Sequence, residues 1–232
     1  PVQFSTSISH TQQFLFNAQT RQADKDRRFN ITGLTLGIAK RLSVPDDYFT
    51  LSQALGFQHY DLKNYNTGLF TFGDGYSNNL SYTIGLSRNN TFNDPVFPTG
   101  GSSFSASAKL SLPYSMLNGL DYKALRLERE ANQEIISDPT IDIDERTAAS
   151  NRISQIDQER FNWLEFYKVK FKGDWYTKLV DKFVFKSTVE FGFLGAYNQD
   201  RGIVPFERFF LGGDGLGAFA LDGREVVALR GY

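Results

Sequence analysis

Hydrophobic and polar residues alternate with a period of two along seven segments of this chain. In one of them, Leu80, Tyr82 and Ile84 are separated by Ser81 and Thr83. A period of two places the two sets of side chains on opposite faces of an extended strand, so the pattern predicts about seven β-strands. Each segment is close to the ~9–11 residues with which a tilted strand crosses a bilayer. The apolar sets begin at Val2, Leu34, Phe49, Leu80, Phe104, Tyr167 and Phe183.

The polar face of these segments consists mainly of Ser, Thr, Gly and Ala, whereas the other face carries large aliphatic and aromatic residues. A soluble antiparallel sheet also alternates, with its apolar face turned to a core, and alternation alone leaves that alternative open. An outward apolar band with aromatic girdles is typical of a membrane barrel. On the barrel interpretation, Leu34, Phe57, Ile84, Leu110, Val169 and Phe191 face lipid, and Thr35, Ser52, Thr83, Ser107, Lys170 and Glu190 face the lumen.

The connections between the predicted strands alternate between long and short. Short turns on one rim and long loops on the other are typical of outer-membrane barrels, in which the short side is periplasmic. This sorting favours the membrane barrel over a soluble meander. The long connections are 17–28, 64–79, 113–160 and the segment after 195, and the short ones are 43–47, 94–101 and 174–182.

The number of strands bears on the domain organisation. A bacterial outer-membrane barrel has an even number of strands and at least eight of them. An open sheet edge in lipid would leave backbone N–H and C=O groups unpaired. We therefore expect residues 1–232 to be a fragment of one outer-membrane β-barrel domain.

Composition narrows the function classes further. The net charge of −1 shows no basic excess, which predicts no nucleic-acid partner. No uncharged apolar stretch reaches the ~18 residues of a membrane-spanning helix. The chain has no cysteine, and its two histidines, His10 and His59, fall on different predicted strands, so we expect no metal site. No nucleophile–base pair stands out, and neither an enzymatic activity nor a cofactor is predicted.

Two further features concern the lumen and the longest loop. A basic stripe on the predicted lumen face consists of Lys168, Lys170 and Lys172. We expect these lysines to pair with acids such as Glu190, and binding of anionic lipid is the alternative. In the loop 113–160, apolar residues recur at helical spacing from Leu120 to Ile135, and a second helical stretch covers 145–158. We expect this loop to cap the barrel or to bind a partner at the cell surface.

Two motifs resemble those of BamA-type outer-membrane assembly factors. The first motif is the turn of a strand–turn–strand pattern, and it is similar to a periplasmic turn of that family. It consists of Phe97, Pro98, Thr99 and Gly100. The second resembles the family's signature "F-x-x-G-G … V-R-G-F", and two further strands separate it from the first motif, as in the family. Tyr232 stands where the family has Phe, and the insert after Gly213 is longer than the common form. The second motif comprises Phe209, Phe210, Gly212, Gly213, Arg230, Gly231 and Tyr232.

The resemblance implies an all-β, antiparallel barrel of sixteen strands, to which this chain would contribute a central run. It implies a plug loop, 196–232, that folds back into the lumen, where Arg230 would meet acidic and aromatic groups of later strands. The implied function is the folding and insertion of β-barrel proteins in the outer membrane of a Gram-negative bacterium. The implied partners are unfolded outer-membrane protein clients, accessory lipoproteins or surface subunits, and outer-membrane lipid. A secretion pore or a TamA-type factor of the same superfamily is the alternative, and from another class a passive porin or uptake barrel.

Overall fold

Seven strands form one antiparallel sheet in which each strand pairs with its neighbours in sequence. The computed structural model describes residues 2–17, 19–65, 72–91, 98–180, 183–204, 207–212 and 225–228, and for 210–212 and 225–228 the backbone alone. The all-β, antiparallel prediction is confirmed, and β1 and β7 form the two edges of the described sheet. The strands are β1 (Val2–Asn17), β2 (Gln22–Arg41), β3 (Phe49–Lys63), β4 (Gly75–Thr91), β5 (Gly101–Ser111), β6 (Tyr167–Val180) and β7 (Phe183–Gly195).

The remaining elements lie in two segments. Between β5 and β6 the chain forms a single 3-10 turn (Tyr114–Met116) and two helices, α1 (Tyr122–Ser137) and α2 (Ile143–Phe161). After β7, two short strands, β8 (Phe209–Gly212) and β9 (Glu225–Ala228), pair in parallel. Neither described helix is both long enough and apolar enough to span a membrane.

One face of the sheet, which we call the outer face, carries large apolar side chains. The register aligns Leu36 with Leu55, and Leu55 with Tyr82, in one such row. Many of these side chains are exposed, such as Phe57 at 37% and Ile8 at 78%. An apolar band of this kind matches the lipid-facing surface of a membrane barrel. All six positions predicted to face lipid lie on this face: Leu34, Phe57, Ile84, Leu110, Val169 and Phe191.

The opposite face, the inner face, carries small and polar side chains. A Cβ on Gly37 would lie 2.5 Å from Ser5 Oγ, and a Cβ on Gly85 would lie 2.6 Å from Ser52 Oγ. These glycines therefore leave room for serine side chains that reach across from the neighbouring strand. The six positions predicted to face the lumen lie together here: Thr35, Ser52, Thr83, Ser107, Lys170 and Glu190.

The connections sort by length as predicted, with one exception. The predicted long connection 17–28 is wrong, because β1 and β2 continue as a hairpin that turns within 18–21. Asn17 Oδ1 accepts hydrogen bonds from the backbone N–H groups of Gln19 (2.9 Å) and Thr20 (3.2 Å). A β-bulge between Phe14 and Leu15 accommodates the charged start of β2. Both faces of a strand can be polar once it rises beyond the lipid, so the charged run resembled a loop.

Residues 112–166 fold over the inner face at the long-loop rim, and we call them the dome. The prediction of a partly helical loop is confirmed, with longer helices than the sequence pattern indicated. Asp121 caps α1 by accepting from the backbone N–H groups of Lys123 (3.1 Å) and Ala124 (3.0 Å). The two helices are joined by the Arg129–Asp157 ion pair at 2.9 Å.

A small apolar core lies between the dome and the wall. Phe29 and Leu62 are cross-strand partners on the inner face of β2 and β3, at the long-loop rim. Side chains from the dome and from the segment after β7 pack onto them, so this rim is closed over rather than open. The buried members of the core are Phe29, Tyr60, Leu62, Phe72, Phe161, Leu164, Phe166 and Val204.

Candidate functional site: the plug anchor

The segment after β7 returns to the inner face of the sheet and is held there by Glu207. Lys109 of β5 donates to Glu207 Oε1 at 2.5 Å. Lys168 of β6 donates to the backbone carbonyl of Glu207 at 2.9 Å and lies 3.4 Å from Oε2. Lys109 and Lys168 are cross-strand partners, so their like charges would repel without an acid between them. The Glu207 carboxylate, only 11% exposed, supplies that acid.

Phe209 extends the attachment across β6 and β7. Its ring lies under Lys168, with the ammonium 4.5 Å from the ring centroid. The same ring covers Gly192 of β7 so closely that a Cβ there would lie 2.4 Å from it. A cation over an aromatic face is favourable when it is removed from water. We call Lys109, Lys168, Gly192, Glu207 and Phe209 the plug anchor.

The basic stripe continues from the anchor toward the short-turn rim. Lys170 aligns with Gly192, and Lys172 lies 3.2 Å from Glu190 in a pair whose side chains are about half exposed. An ion pair that open to solvent contributes little to stability. The four charged residues predicted on the lumen face thus share one face, and Lys168 among them contacts the returning segment.

A second attachment lies in the dome, where Arg201 holds the start of the returning segment. Arg201 Nη1 lies 2.9 Å from Glu165 Oε2, and these side chains are 1% and 0% exposed. Ser115 also donates to the Glu165 carboxylate, from its N–H at 2.7 Å and its hydroxyl at 2.8 Å. The guanidinium stacks on Tyr122 at 5.3 Å. Burial lowers the pKa of Arg201 below its usual value, whereas Tyr122 and Glu165 act to raise it.

Arg160 ties the same segment to the helices. It donates to the backbone carbonyls of Arg201 and, at 3.3 Å, of Asp200. Arg160 Nη1 lies 3.1 Å from Oδ1 of Asp157, and the same carboxylate also binds Arg129 of α1. Burial lowers the pKa of Arg160, and the nearby Asp157 carboxylate opposes that effect. The segment after β7 is therefore fixed twice, first to the dome and then to the wall.

The predicted turn motif lies between β4 and β5 at the short-turn rim. Pro98, Thr99 and Gly100 lead directly into β5, whereas Phe97 lies outside the described residues. The next residue, Gly101, has φ +89°, and a Cβ there would overlap the backbone carbonyl of Asn90. Only glycine fits this close approach, which explains why a second glycine follows the motif.

The predicted plug-loop motif is covered in part. Phe209 is the member whose side chain is described, and Phe210 and Gly212 are described by their backbone in β8. They pair with Val226 and Ala228 of β9. The remaining members, Gly213, Arg230, Gly231 and Tyr232, lie outside the described residues, so the role predicted for Arg230 stays a prediction.

Sequence reasoning missed the acid and the bases that form the two attachments. Lys109 gave a signal, because it is the one charged residue among the inner-face serines of β5. Glu207 stands two residues before the motif residue Phe209, so it could have been assigned to the same attachment. Nothing in the sequence indicated the Arg201–Glu165 pair, whose members lie 36 residues apart on irregular segments.

The histidines have local partners. His10 Nδ1 lies 2.9 Å from Thr32 Oγ1, and His59 Nδ1 lies 2.8 Å from Asn78 Oδ1. Among the described residues, no three His, Asp or Glu side chains cluster in a way that could hold a metal ion.

Comparison with known proteins agrees with this geometry. Residues 1–218 match the family described as the Omp85 superfamily domain. No curated protein matches the chain. Among solved structures, the chain is similar to BamA from Haemophilus ducreyi lacking POTRA domains 1–3, with a TM-score of 0.52 and 16% sequence identity. That match covers 91% of this chain and 33% of the BamA chain, so this chain spans about a third of its length. The chain belongs to the Omp85 superfamily, and its sheet is part of the wall of an outer-membrane β-barrel.

Proposed function

We propose that this chain is the central barrel segment of an outer-membrane protein assembly factor of the BamA type in a Gram-negative bacterium. The superfamily comprises barrel insertases and secretion pores. In this proposal the chain performs no covalent chemistry and uses no cofactor. Its partners are unfolded outer-membrane proteins, accessory lipoproteins or surface subunits, and outer-membrane lipid. It supplies wall and plug, while client strands add to an exposed strand edge elsewhere in the barrel.

The plug anchor is the observation that supports this proposal over a passive pore. A pore needs a continuous aqueous lumen. Here the segment after β7 crosses the inner face, and Glu207 bridges Lys109 and Lys168. The dome adds a second obstruction, because its core closes the long-loop rim. A wall with a fixed plug suits a protein that works through its strand edges and does not conduct solutes.

The anchor can be tested with Glu207→Gln in the full-length protein. The substitution keeps the shape of the side chain but removes the charge that Lys109 and Lys168 share. A hydrogen bond to a charged group contributes roughly 1.5–3 kcal/mol to stability, and this contribution would be lost. We expect more frequent channel openings in planar bilayers and a lower yield of outer-membrane proteins in cells. Glu190→Gln is the matched control, since its lysine partner is half exposed and little should change.

Two outcomes of this experiment distinguish the candidate functions, and a second variant supplements it. Normal closure and normal yield in Glu207→Gln would contradict a functional plug at this anchor. Open channels with normal yield, together with loss of one secreted protein, would favour a secretion pore. Arg230→Ala should act in the same direction as Glu207→Gln, and Arg230→Lys should rescue it poorly, because an ammonium lacks the planar fork of a guanidinium.

A further inference from the structure

An apolar patch on the dome continues the outer face of the wall. Leu110 lies on the outer face of β5, and Leu112, two residues later, continues that direction. The 3-10 turn follows, and Met116 and Leu117 are 77% and 74% exposed, compared with 46% for Leu112. We call Leu112, Met116 and Leu117 the apolar foot.

Ser115 fixes the direction in which this turn faces. Its N–H and hydroxyl point inward to Glu165, which is fully buried beneath Arg201. A 3-10 helix has three residues per turn, so Tyr114 and Leu117 lie on one side and Ser115 on another. The inward contact of Ser115 therefore turns Leu117 away from the dome interior.

An aromatic stack shows what lies on that other side. The Tyr114 ring is 4.8 Å from Trp163, and the Trp163 ring is 6.5 Å from Phe57 on the outer face of β3. Trp163 is 38% exposed and forms a bridge with Asn78, the outer-face position that follows Leu80 toward the long-loop rim. Trp and Tyr are enriched where a membrane protein leaves the lipid. The foot thus lies at the height of the aromatic belt, in continuity with the lipid-facing surface.

We propose that the apolar foot inserts into the acyl–headgroup boundary of the outer leaflet and anchors the dome to lipid beside β5. Exposed aliphatic side chains gain by leaving water, and lipid is the apolar phase that already borders Leu110. The contact holds the turn that carries Ser115, and so it supports the Glu165–Arg201 attachment from outside. This membrane contact goes beyond the proposed assembly activity and does not depend on it.

Ile143 provides a matched control within the same dome. It is 72% exposed, nearly the same as Met116 and Leu117, and it is aliphatic. It begins α2, whose other end, Phe161, packs in the core against the wall. At 1.5 Å per residue these ends are about 27 Å apart, so Ile143 lies at the end of α2 that is remote from the core.

The test places single nitroxide labels on cysteines at Leu112, Met116, Leu117 and Ile143 of the full-length protein in phospholipid vesicles. The chain has no cysteine of its own, so each label is unique within it. Each label is exposed to oxygen, which partitions into lipid, and to a nickel complex, which stays in water. We expect the ratio of oxygen collisions to nickel collisions to be several-fold higher at the three foot positions than at Ile143. Ratios at Met116 and Leu117 equal to that at Ile143 would overturn the proposal. Shielding of both positions only after a surface subunit is added would overturn it in favour of a protein partner.

A second variant tests the foot as a unit. With the label on Met116, the substitution Leu117→Asp places a charge at the boundary and should shift that label toward the aqueous reagent. Ile143→Asp should leave the Met116 label unchanged. An unshifted label in Leu117→Asp would contradict insertion of the foot, and if that variant fails to fold, the four single labels decide the question.

Discussion

The wall and the dome obey opposite packing rules within one chain. In the wall, large apolar residues such as Phe4 and Phe193 are 76% and 57% exposed, and the inner face carries serine and glycine. In the dome, Ile156 and Phe166 are fully buried, and most of the exposed helix positions carry polar or charged side chains. The wall is inverted relative to a soluble protein, whereas the dome is packed like one.

The difference shows that the surrounding solvent decides which face a sequence buries. Lipid accepts the apolar face of the wall, so its other face needs only small side chains and a plug. Water surrounds the helices of the dome, which must therefore enclose their own core. Enclosure also allows a charge pair to become almost fully buried, at Arg201 and Glu165. The two regions should respond differently to the same kind of substitution.

The largest effect is expected in the dome, for Arg201→Ala. Removing one member of a buried pair costs roughly 3–5 kcal/mol, because the remaining charge has no partner. We expect the returning segment to detach from the dome, and protease added to intact cells should then cleave within 196–204. Arg152→Ala is the control, since its partner Glu128 and Arg152 itself are well exposed. Equal protease resistance of both variants would show that Arg201 does not hold the segment.

A charge on the outer face of the wall should have the next largest effect. Leu55→Arg places a cation on the lipid-facing side of β3, which costs ~2–4 kcal/mol near the bilayer midplane. Ser52→Arg places it on the inner face of the same strand, between Ala39 and Gly85, at a position whose side chain is exposed. Heat-modifiability of the barrel on gels should be lost in the first variant and kept in the second. Equal loss in both would mean that the two faces have no distinct surroundings.

Gly192→Ala should have a smaller effect, confined to the plug anchor. Its new methyl group would overlap the Phe209 ring, and overpacking of this kind typically costs about 1–3 kcal/mol. We expect the ring to leave Lys168 and channel openings to become more frequent. Gly56→Ala is the control on the same face, because the nearest atom to a Cβ there is 3.6 Å away. Identical conductance of the two variants would show that Phe209 does not rest on β7.

The wall could be predicted from sequence because its pattern is local and repetitive. A period of two assigns each residue of β3 or β6 to a face without knowledge of its neighbours. The hairpin of β1 and β2 was missed where that pattern fails, since residues 22–28 are polar on both sides. Beyond the lipid, both faces of a strand can contact water, so the sequence no longer alternates between apolar and polar residues.

The attachments of the plug segment could not be predicted, because they are single contacts between distant positions. Glu207 meets Lys109 across 98 residues, and Arg201 meets Glu165 across 36. No periodicity marks such pairs, and charges of both signs are common along the chain. The motif resemblance indicated that the segment returns to the lumen, but it directed attention to Arg230 and not to Glu207.

The most direct test asks whether the segment after β7 lies against the inner face of the wall. Paired cysteines at Gly192 and Phe209 keep the contacts of Glu207 with Lys109 and Lys168 and bring two thiols close together on that face. Paired cysteines at Phe193 and Phe209 move one thiol by a single residue to the outer face. In the full-length protein in native outer membranes, a short bifunctional thiol reagent should link the first pair and leave the second unlinked. Absence of linkage in the first pair, or equal linkage in both, would contradict a plug held against the inner face of the barrel.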